Sequence, residues 1–400
     1  MHFYEFEVKR LFEKHGIKVP RGGTAKTPEQ AEKLASDFGG PVVVKAQVLA
    51  RARSKAGGVR FADTPAAAKS AAKDLLALSI SGQKPPCVLV EQKIDAAKLY
   101  GVNATYDGLA RRPVLVATAM GGQNLDELEQ KQPSAIVRRH FSALTPLADY
   151  RAKELARRLG FGGDTIGGMT TLLSRLCDVM LRYDFTFCEI NALAQLADGS
   201  FCALDGHADL EAEARSRQTG LIKELGIENP ETRGARAPTA FEREAAKIDA
   251  EDPRGIISPV MEFDGNMGLV IGAGGGSITT FDAIIRQGGK PANYCAIGGN
   301  PSVKKAERLT KLVLSKPGVE KICVISNVVS NTRADLVARG VIKGVKALGF
   351  EPKDKITIFR VPGAWEADAF KILEKYGVEY CDRTVSLSEA ARRAVEKAKA

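Results

Sequence analysis

The chain is poor in the residues that carry covalent and metal chemistry. Its 400 residues hold seven cysteines, at positions 87, 177, 188, 202, 295, 323 and 381, with no Cys-x-x-Cys spacing. Their scatter through apolar patterns argues against a zinc site and for reduced thiols in a cytosolic setting. Histidine is scarcer, with only His2, His15, His140 and His207, and no nucleophile or metal-ligand spacing surrounds any of them. Gly-x-Ser-x-Gly, His-Glu-x-x-His and Walker sequences are absent, so the chain lacks a covalent relay of its own. No apolar run reaches the roughly 20 residues of a membrane span. The first residues, MHFYEFEVKRLFEKHG, read as an amphipathic helix of mixed charge rather than an export signal, so a cytoplasmic protein is expected. No zinc-finger or RNP aromatic pattern accompanies the net charge of +10, which is spread along the chain. Anionic small molecules such as nucleotides, or an acidic partner, fit that charge better than nucleic acid does.

A chain of 400 residues exceeds one ordinary core. Its texture changes along its length. Residues 22–89 mix strands and helices, and the segments TPEQAEKLASDFG and TPAAAKSAAKDLLALS each open on a Thr-Pro pair suited to a cap followed by the first helical turn. Strand patterns follow, then a helical stretch over 150–183 and a hairpin. Residues 228–255 are rich in Pro, Arg and Glu and read as a linker with some helix. Beyond it, strand, loop and helix repeat three times, which means a parallel doubly wound sheet. The expected organisation is therefore α/β, with a first domain over 1–227, the linker over 228–255 and a parallel-sheet domain over 256–400.

The hairpin CEINALAQLADGSFCALDG (188–206) sets three polar side chains among apolar ones: Glu189 and Asn191 on one strand, Asp205 on the other. Asn and Asp oxygens are hard ligands, and Mg²⁺ takes one or two such groups while phosphates and waters complete its shell. The pair Asn191 and Asp205 either holds Mg²⁺ against a nucleotide or is a hydrogen-bonded polar pair on a solvent-facing sheet. Lys45 closes the strand PVVVK, where it can reach a phosphate or simply snorkel to the sheet edge. Arg51, Arg53, Lys55 and Arg60 flank Gly57-Gly58 in a loop that suits a flap over polyphosphate, or is only a solvated basic loop. Glu91 closes the strand CVLVE, where it can face a ribose or be plain surface.

In the second half, Gly274, Gly275, Gly276 and Ser277 lie in a glycine turn between strand and helix, where free N–H groups and the helix dipole favour an anion. Tight turns of this kind also need glycine for steric reasons alone. SNVVSNTR (326–333) is expected to be a second such turn, offering Asn327, Ser330, Asn331 and Thr332 as donors at another helix start. Arg360 closes a neighbouring strand and is expected on the same sheet edge, paired with a carboxylate.

These pieces resemble the β subunit of ADP-forming succinate–CoA ligases (succinyl-CoA synthetase), a family with citryl-CoA synthetase and ATP-citrate lyase relatives. The resemblance rests on FYEFEVKRLFEKHGIKVPRG, VVVKAQVLARARSKAGGV, VLVEQ, EINALAQLADGSFCALDG and FDGNMGLVIGAGGGSITTFDAIIRQGGKPANYCAIGGNPS. It implies an N-terminal ATP-grasp domain followed by a flavodoxin-like ligase domain. It implies Lys45 and Arg53 over the phosphates of ATP or GTP, Glu91 at the hinge by adenine and ribose, and Mg²⁺ on Asn191 and Asp205. It also implies Glu189 facing a phosphohistidine carried by an α subunit, which holds most of the CoA site, in an αβ or (αβ)₂ assembly.

The implied reaction phosphorylates that histidine, passes the phosphoryl group to a carboxylic acid, and displaces phosphate with CoA, as in the tricarboxylic acid cycle. The sequence departs from the family at three points. The flap reads Ala-Arg-Ala-Arg-Ser-Lys where the family has Ala-Gly-Gly-Arg-Gly-Lys. Met120-Gly121-Gly122 stands for Glu-Gly-Gly, and Val329-Ser330 stands for the Gly-Gly of succinate users. The last departure resembles the citrate-using branch and suits a substituted acid such as malate or citrate beside succinate. The altered flap also admits a β-like subunit of weakened nucleotide chemistry that serves as a binding or regulatory partner.

Overall fold

The structure, a computed structural model, describes residues 1–50, 53–145, 147–234, 236, 238–272 and 274–399, without the side chains of Asp126, Glu231 and Ser330. Two compact units divide it, residues 1–237 and 238–400. The division falls inside the stretch read as linker, where a helix, Ala240–Glu251, opens on a capping box between Thr239 and Glu242.

The first unit contains two sheets. β1 (Gly22–Ala25), β2 (Val42–Ala46), β3 (Val59–Ala62) and β4 (Val88–Gln92) pair antiparallel in the order β1-β4-β2-β3. Val42, Val44, Val88 and Val90 bury their alternate side chains against Ala31, Ala35, Ala68, Ala72 and Leu75 of the helices Pro28–Phe38 and Pro65–Ala77. Those helices begin where the Thr-Pro pairs predict. The Thr27 and Thr64 hydroxyls accept from the N–H groups of Gln30 and Ala67, and each proline fills the first helical position.

The second sheet is built from β5 (Lys98–Asp107), β6 (Arg112–Thr118), β7 (Ile136–His140), β8 (Phe185–Gln195), β9 (Phe201–Ala203) and β10 (His207–Leu210), in the order β10-β8-β5-β6-β7 with β9 also on β8. The predicted hairpin is β8 and β9, with Leu193 opposite Ala203. The chain then leaves the ladder at residues 204–206 and returns as β10 against the first half of β8. The helical stretch expected over 150–183 is two helices, Asp149–Arg158 and Thr165–Arg182. Gly160 and Gly163 between them take positive φ values of 93° and 52°, which a continuing helix cannot accommodate.

The second unit runs β11 (Met261–Glu262), β12 (Met267–Ile271), β13 (Asn293–Tyr294), β14 (Lys321–Ile325), β15 (Val329–Arg333), β16 (Ile356–Arg360) and β17 (Gly363–Ala364). β12, β14 and β16 form a parallel sheet in that order. Parallel bridges from Gly272 to Ile297 and from Phe359 to Tyr380 extend it at both edges, giving the second-first-third-fourth-fifth order of a flavodoxin-like sheet. Helices Val303–Leu314 and Ala334–Ala347 meet closely through Gly340, where an added Cβ would lie 2.5 Å from Ala306 Cβ.

Candidate functional site

In the first unit, the break between β9 and β10 decides what the site looks like. Leu204 turns its carbonyl toward two buried lysines, and Lys9 and Lys45 donate to it at 2.8 and 2.5 Å. Around them six charges interlock. Lys45 Nζ lies 2.8 Å from Glu5 Oε1 and 2.8 Å from Glu91 Oε2. Lys9 Nζ lies 2.9 Å from the same Glu5 oxygen and 2.6 Å from Glu91 Oε1. Arg53 reaches Glu5 Oε2 at 2.5 Å and Asp205 Oδ1 at 3.3 Å. Three cations thus face three carboxylates, and Glu5, Lys9, Lys45, Arg53 and Glu91 are all buried.

Removing such charges from water is costly, and only this mutual pairing offsets it. Burial alone would raise the Glu5 carboxyl, but Arg53, Lys45 and Lys9 together hold it down at about 2. Lys45 moves up, because Glu5 and Glu91 outweigh its own desolvation. Asp205 is held well below the usual carboxylate range despite burial, by His207, Arg53 and Lys45.

The structure therefore brings the predicted Lys45, Arg53, Glu91 and Asp205 together, and adds Glu5 and Lys9 from the helix Glu5–Lys14. Sequence reasoning missed these two because an amphipathic helix of mixed charge reads as a surface helix. Their i, i+4 spacing was the available signal. Of the predicted flap, Arg51 lies outside the described residues. The chain turns tightly behind Arg53, with Gly58 N–H donating to Arg53 O at 2.9 Å, Lys55 paired to Glu127 at 2.7 Å and Arg60 exposed.

Two cavities flank the charge cluster. One, of about 340 Å³, is lined by Lys9, Arg10, Pro20, Arg21, Leu89 and Glu91 among others. The other, of about 240 Å³, is lined by Lys55, Asn103, Gly122, Glu189, Asn191 and His207 among others. Asn191 Oδ1 accepts from Gly122 N–H at 2.6 Å and Nδ2 donates to Gln123 O at 2.7 Å, so this side chain also shapes the loop over the cavity. Glu189 stands directly opposite Asn103 of β5 on one side and His207 of β10 on the other, so the three form one row on one sheet face.

His207 lies 3.4 Å from Asp205 and its pKa is raised, because that carboxylate outweighs the burial that would lower it. It is a further residue that sequence reasoning missed. Its place two residues after Asp205 was the signal. Among the described residues no three His, Cys, Asp or Glu side chains gather as a metal cage. Asn191 with an ionised Asp205 fits a hard cation that takes few protein ligands, and does not fit zinc.

In the second unit, the helix Gly275–Arg286 starts at Gly274 (φ 71°), and among the described residues no N-cap side chain bonds its first N–H groups. Asn327 packs over it, since an added Cβ at Gly276 would lie 2.8 Å from Asn327 Cγ. Gly276 and Asn327 thus meet at this helix start, while Gly274 and Gly275 open onto free space. Other predicted members of this group turn elsewhere. The Ser277 hydroxyl points inward, donating to Gly274 O at 2.6 Å and bonding Tyr294 Oη at 2.7 Å. Thr332 is buried and accepts from Asn300 N–H at 3.2 Å, and Asn331 is exposed. The Ser330 side chain lies outside the described set.

SNVVSNTR is not a helix-start turn. Its second half is β15, paired in parallel with β17, and the helix begins only at Ala334. The β-branched Val329 and Thr332 favour the strand. Arg360 also corrects the expectation of a carboxylate partner. Its Nε donates to Val385 O at 2.6 Å and its Nη1 to Ser326 O, so the guanidinium braces main-chain carbonyls in the sheet's interior. Ser326, which sequence reasoning passed over, is buried with a hydroxyl that has no partner among the described residues, and it crowds Gly272 so closely that an added Cβ there would lie 2.0 Å from Ser326 Oγ.

Comparison with known proteins agrees with this architecture. An ATP-grasp domain family matches residues 2–195. The succinate–CoA ligase (ADP-forming) β subunit of Methanothermobacter thermautotrophicus is 34% identical over 400 residues, all of both chains. The β subunit 1 of that name from Archaeoglobus fulgidus is 35% identical over 402 residues, again all of both chains. Among solved structures, ATP citrate lyase from Methanothrix soehngenii, in complex with citrate and coenzyme A, shares the fold, with a TM-score of 0.67 over 99% of each chain at 17% identity. An ATP-grasp unit with its charge cluster at a broken strand, followed by a flavodoxin-like sheet and matched end to end by these relatives, makes the chain a member of the ADP-forming succinate–CoA ligase β-subunit family.

Proposed function

We propose that the chain is the nucleotide-binding β subunit of an ADP-forming acid–CoA ligase that phosphorylates a histidine on an α subunit. The observation that carries this reading is the buried cluster in which Lys45 and Arg53 are held charged between two cavities. A nucleotide bound along it would lay its base and ribose toward Glu91 and its phosphates toward Lys45, Arg53 and Asn191. The phosphates would replace Glu5 and Asp205 as partners of the two cations. Asn191 and Asp205 would hold Mg²⁺, which supplies neutralisation of phosphate charge. Glu189, on the sheet face beyond Asn191, would receive the histidine and stabilise its developing charge. The phosphoryl group would then pass to a carboxylic acid, and CoA would displace phosphate to give the thioester.

The acid would bind at the uncapped helix start of the second unit, with Asn327 and Ser326 as added hydrogen-bonding groups. Those groups support an acid bearing a further hydroxyl or carboxylate, such as malate or citrate, beside succinate. All seven cysteines are unpaired and buried, which supports a cytoplasmic setting. Among the described residues no helix is long and apolar enough to cross a membrane.

A second reading draws on the same cluster: its cations are already matched by carboxylates, as in a β-like subunit that binds partners without turnover. Calorimetry of Mg-ATP on the chain decides between them. The ligase reading expects saturable binding that is weakened by Lys45→Ala. Absence of binding heat and of competition by ADP favours the second.

A further inference from the structure

The row Asn103–Glu189–His207 contains a feature that nucleotide binding does not use. Asn103 sits in the middle of β5 between Val102 and Ala104, which are fully buried on the core face. It faces the 240 Å³ cavity, is only 8% exposed, and its carboxamide oxygen has no hydrogen-bond partner among the described residues. Asparagine is disfavoured within strands, and an unpaired buried acceptor is destabilising. Such a group persists where a partner arrives from outside. The arriving partner must bring a hydrogen-bond donor, an N–H or an O–H, and not a bare anion. Glu189 stands directly opposite Asn103, and an anion oxygen placed between that carboxylate and an amide oxygen would be repelled.

We infer that Asn103 positions the phosphoryl-accepting histidine by accepting the N–H of its imidazole. This rests on the reading that the acceptor is a histidine of a partner. With one ring nitrogen held as N–H, the other keeps its lone pair and faces Asn191 and the nucleotide side. That lone pair forms the N–P bond as the β,γ-bridging P–O bond breaks, and ADP leaves with the electron pair. The proton stays on that ring nitrogen, whose N–H keeps donating to Asn103's oxygen, and Glu189 beside it balances the positive charge on the ring.

The test uses the complex of this chain with its α subunit and compares wild type, Asn103→Leu and Asn103→Asp. Three quantities are read: transfer of label from γ-labelled ATP to the α subunit as acid-labile phosphate, Mg-ATP affinity, and melting temperature. Asn103→Leu is expected to slow labelling roughly 10-fold or more, the loss typical of one hydrogen bond to a charged group. Mg-ATP affinity should stay within twofold. The melting temperature should hold or rise, since leucine removes an unpaired polar group, whereas a merely structural asparagine would lower it. Asn103→Asp keeps the acceptor and should label at least threefold faster than Asn103→Leu. Wild-type labelling with an unaffected Asn103→Leu overturns the inference and leaves the histidine reading standing. A parallel loss of Mg-ATP affinity or of melting temperature in Asn103→Leu also overturns it. No labelling by wild type overturns both.

Discussion

Glu5→Gln removes one charge from the centre of the cluster while keeping the side chain's shape. Three cations are then left facing Glu91 and Asp205 alone. Breaking a buried ion pair in this way costs about 3–5 kcal/mol. The pKa leads to a similar figure independently. Glu5 is held at about 2 against an ordinary 4.5, with the three cations overcoming its burial. At about 1.4 kcal/mol for each unit, the ionised carboxylate contributes roughly 3 kcal/mol at neutral pH. Because the folded-state pKa is lowered, that stability is fully present above pH 4.5 and is lost as pH falls from 4.5 toward 2. Urea unfolding of wild type and Glu5→Gln across pH therefore shows a gap of about 3 kcal/mol at pH 7 that closes below pH 4.5. Mg-ATP affinity should move the other way, holding or improving, since Lys45 and Arg53 lose a competitor for the phosphates. A gap under about 1 kcal/mol at pH 7 refutes the reasoning, because it lies within the range of a solvent-exposed pair. So does a gap that does not close in acid.

Arg360→Ala is expected to destabilise the protein by about 2–4 kcal/mol by stranding the carbonyls of Ser326 and Val385, and to raise the KM for every acid alike. A selective rise for one acid with unchanged melting would restore Arg360 as a carboxylate partner. Over a panel of succinate, malate, citrate and other short acids, with ADP release read from the complex with the α subunit, at least one substituted acid should be used as well as succinate. Strong preference for succinate over every substituted acid contradicts the role given to Ser326 and Asn327. Gly276→Ala should raise acid KM values by pushing Asn327 off the helix start, with Mg-ATP binding unchanged. Equal loss of both would show that the substitution acts on folding.

The α/β organisation was legible because strand and helix periodicities differ and each element carries its own punctuation. Thr27-Pro28 and Thr64-Pro65 announced two helices, and Asp198-Gly199 announced the β8–β9 turn. The cluster was half legible. Lys45, Glu91 and Asp205 end apolar runs, where an ionisable group is conspicuous. Glu5 and Lys9 lie on a helix that buries part of its charged side as well as its apolar side, and their i, i+4 spacing is equally what a surface helix shows. Asn103 acquires meaning only through the register of β5 on β8, which sets it opposite Glu189, and His207 joins that row only where β10 rejoins β8 after the break at 204–206.

In the second unit, a strand-ending arginine fits a carboxylate and a carbonyl brace equally well. Only the position of Val385 and Ser326 decided Arg360's role. SNVVSNTR misled because its polar side chains suit a cap, while its pairing with Gly363–Ala364 is a long-range fact.

The central claim is that the hairpin side chains carry phosphoryl transfer to a partner's histidine. It is tested most directly by following γ-phosphate label from ATP onto the α subunit with wild type and Asp205→Asn. The expected result is acid-labile label on α with wild type, and a rate lower by roughly 10²–10³-fold in Asp205→Asn with secondary structure retained, the scale of losing one electrostatic group. Labelling by Asp205→Asn at the wild-type rate, or no label on α with wild type, would contradict it.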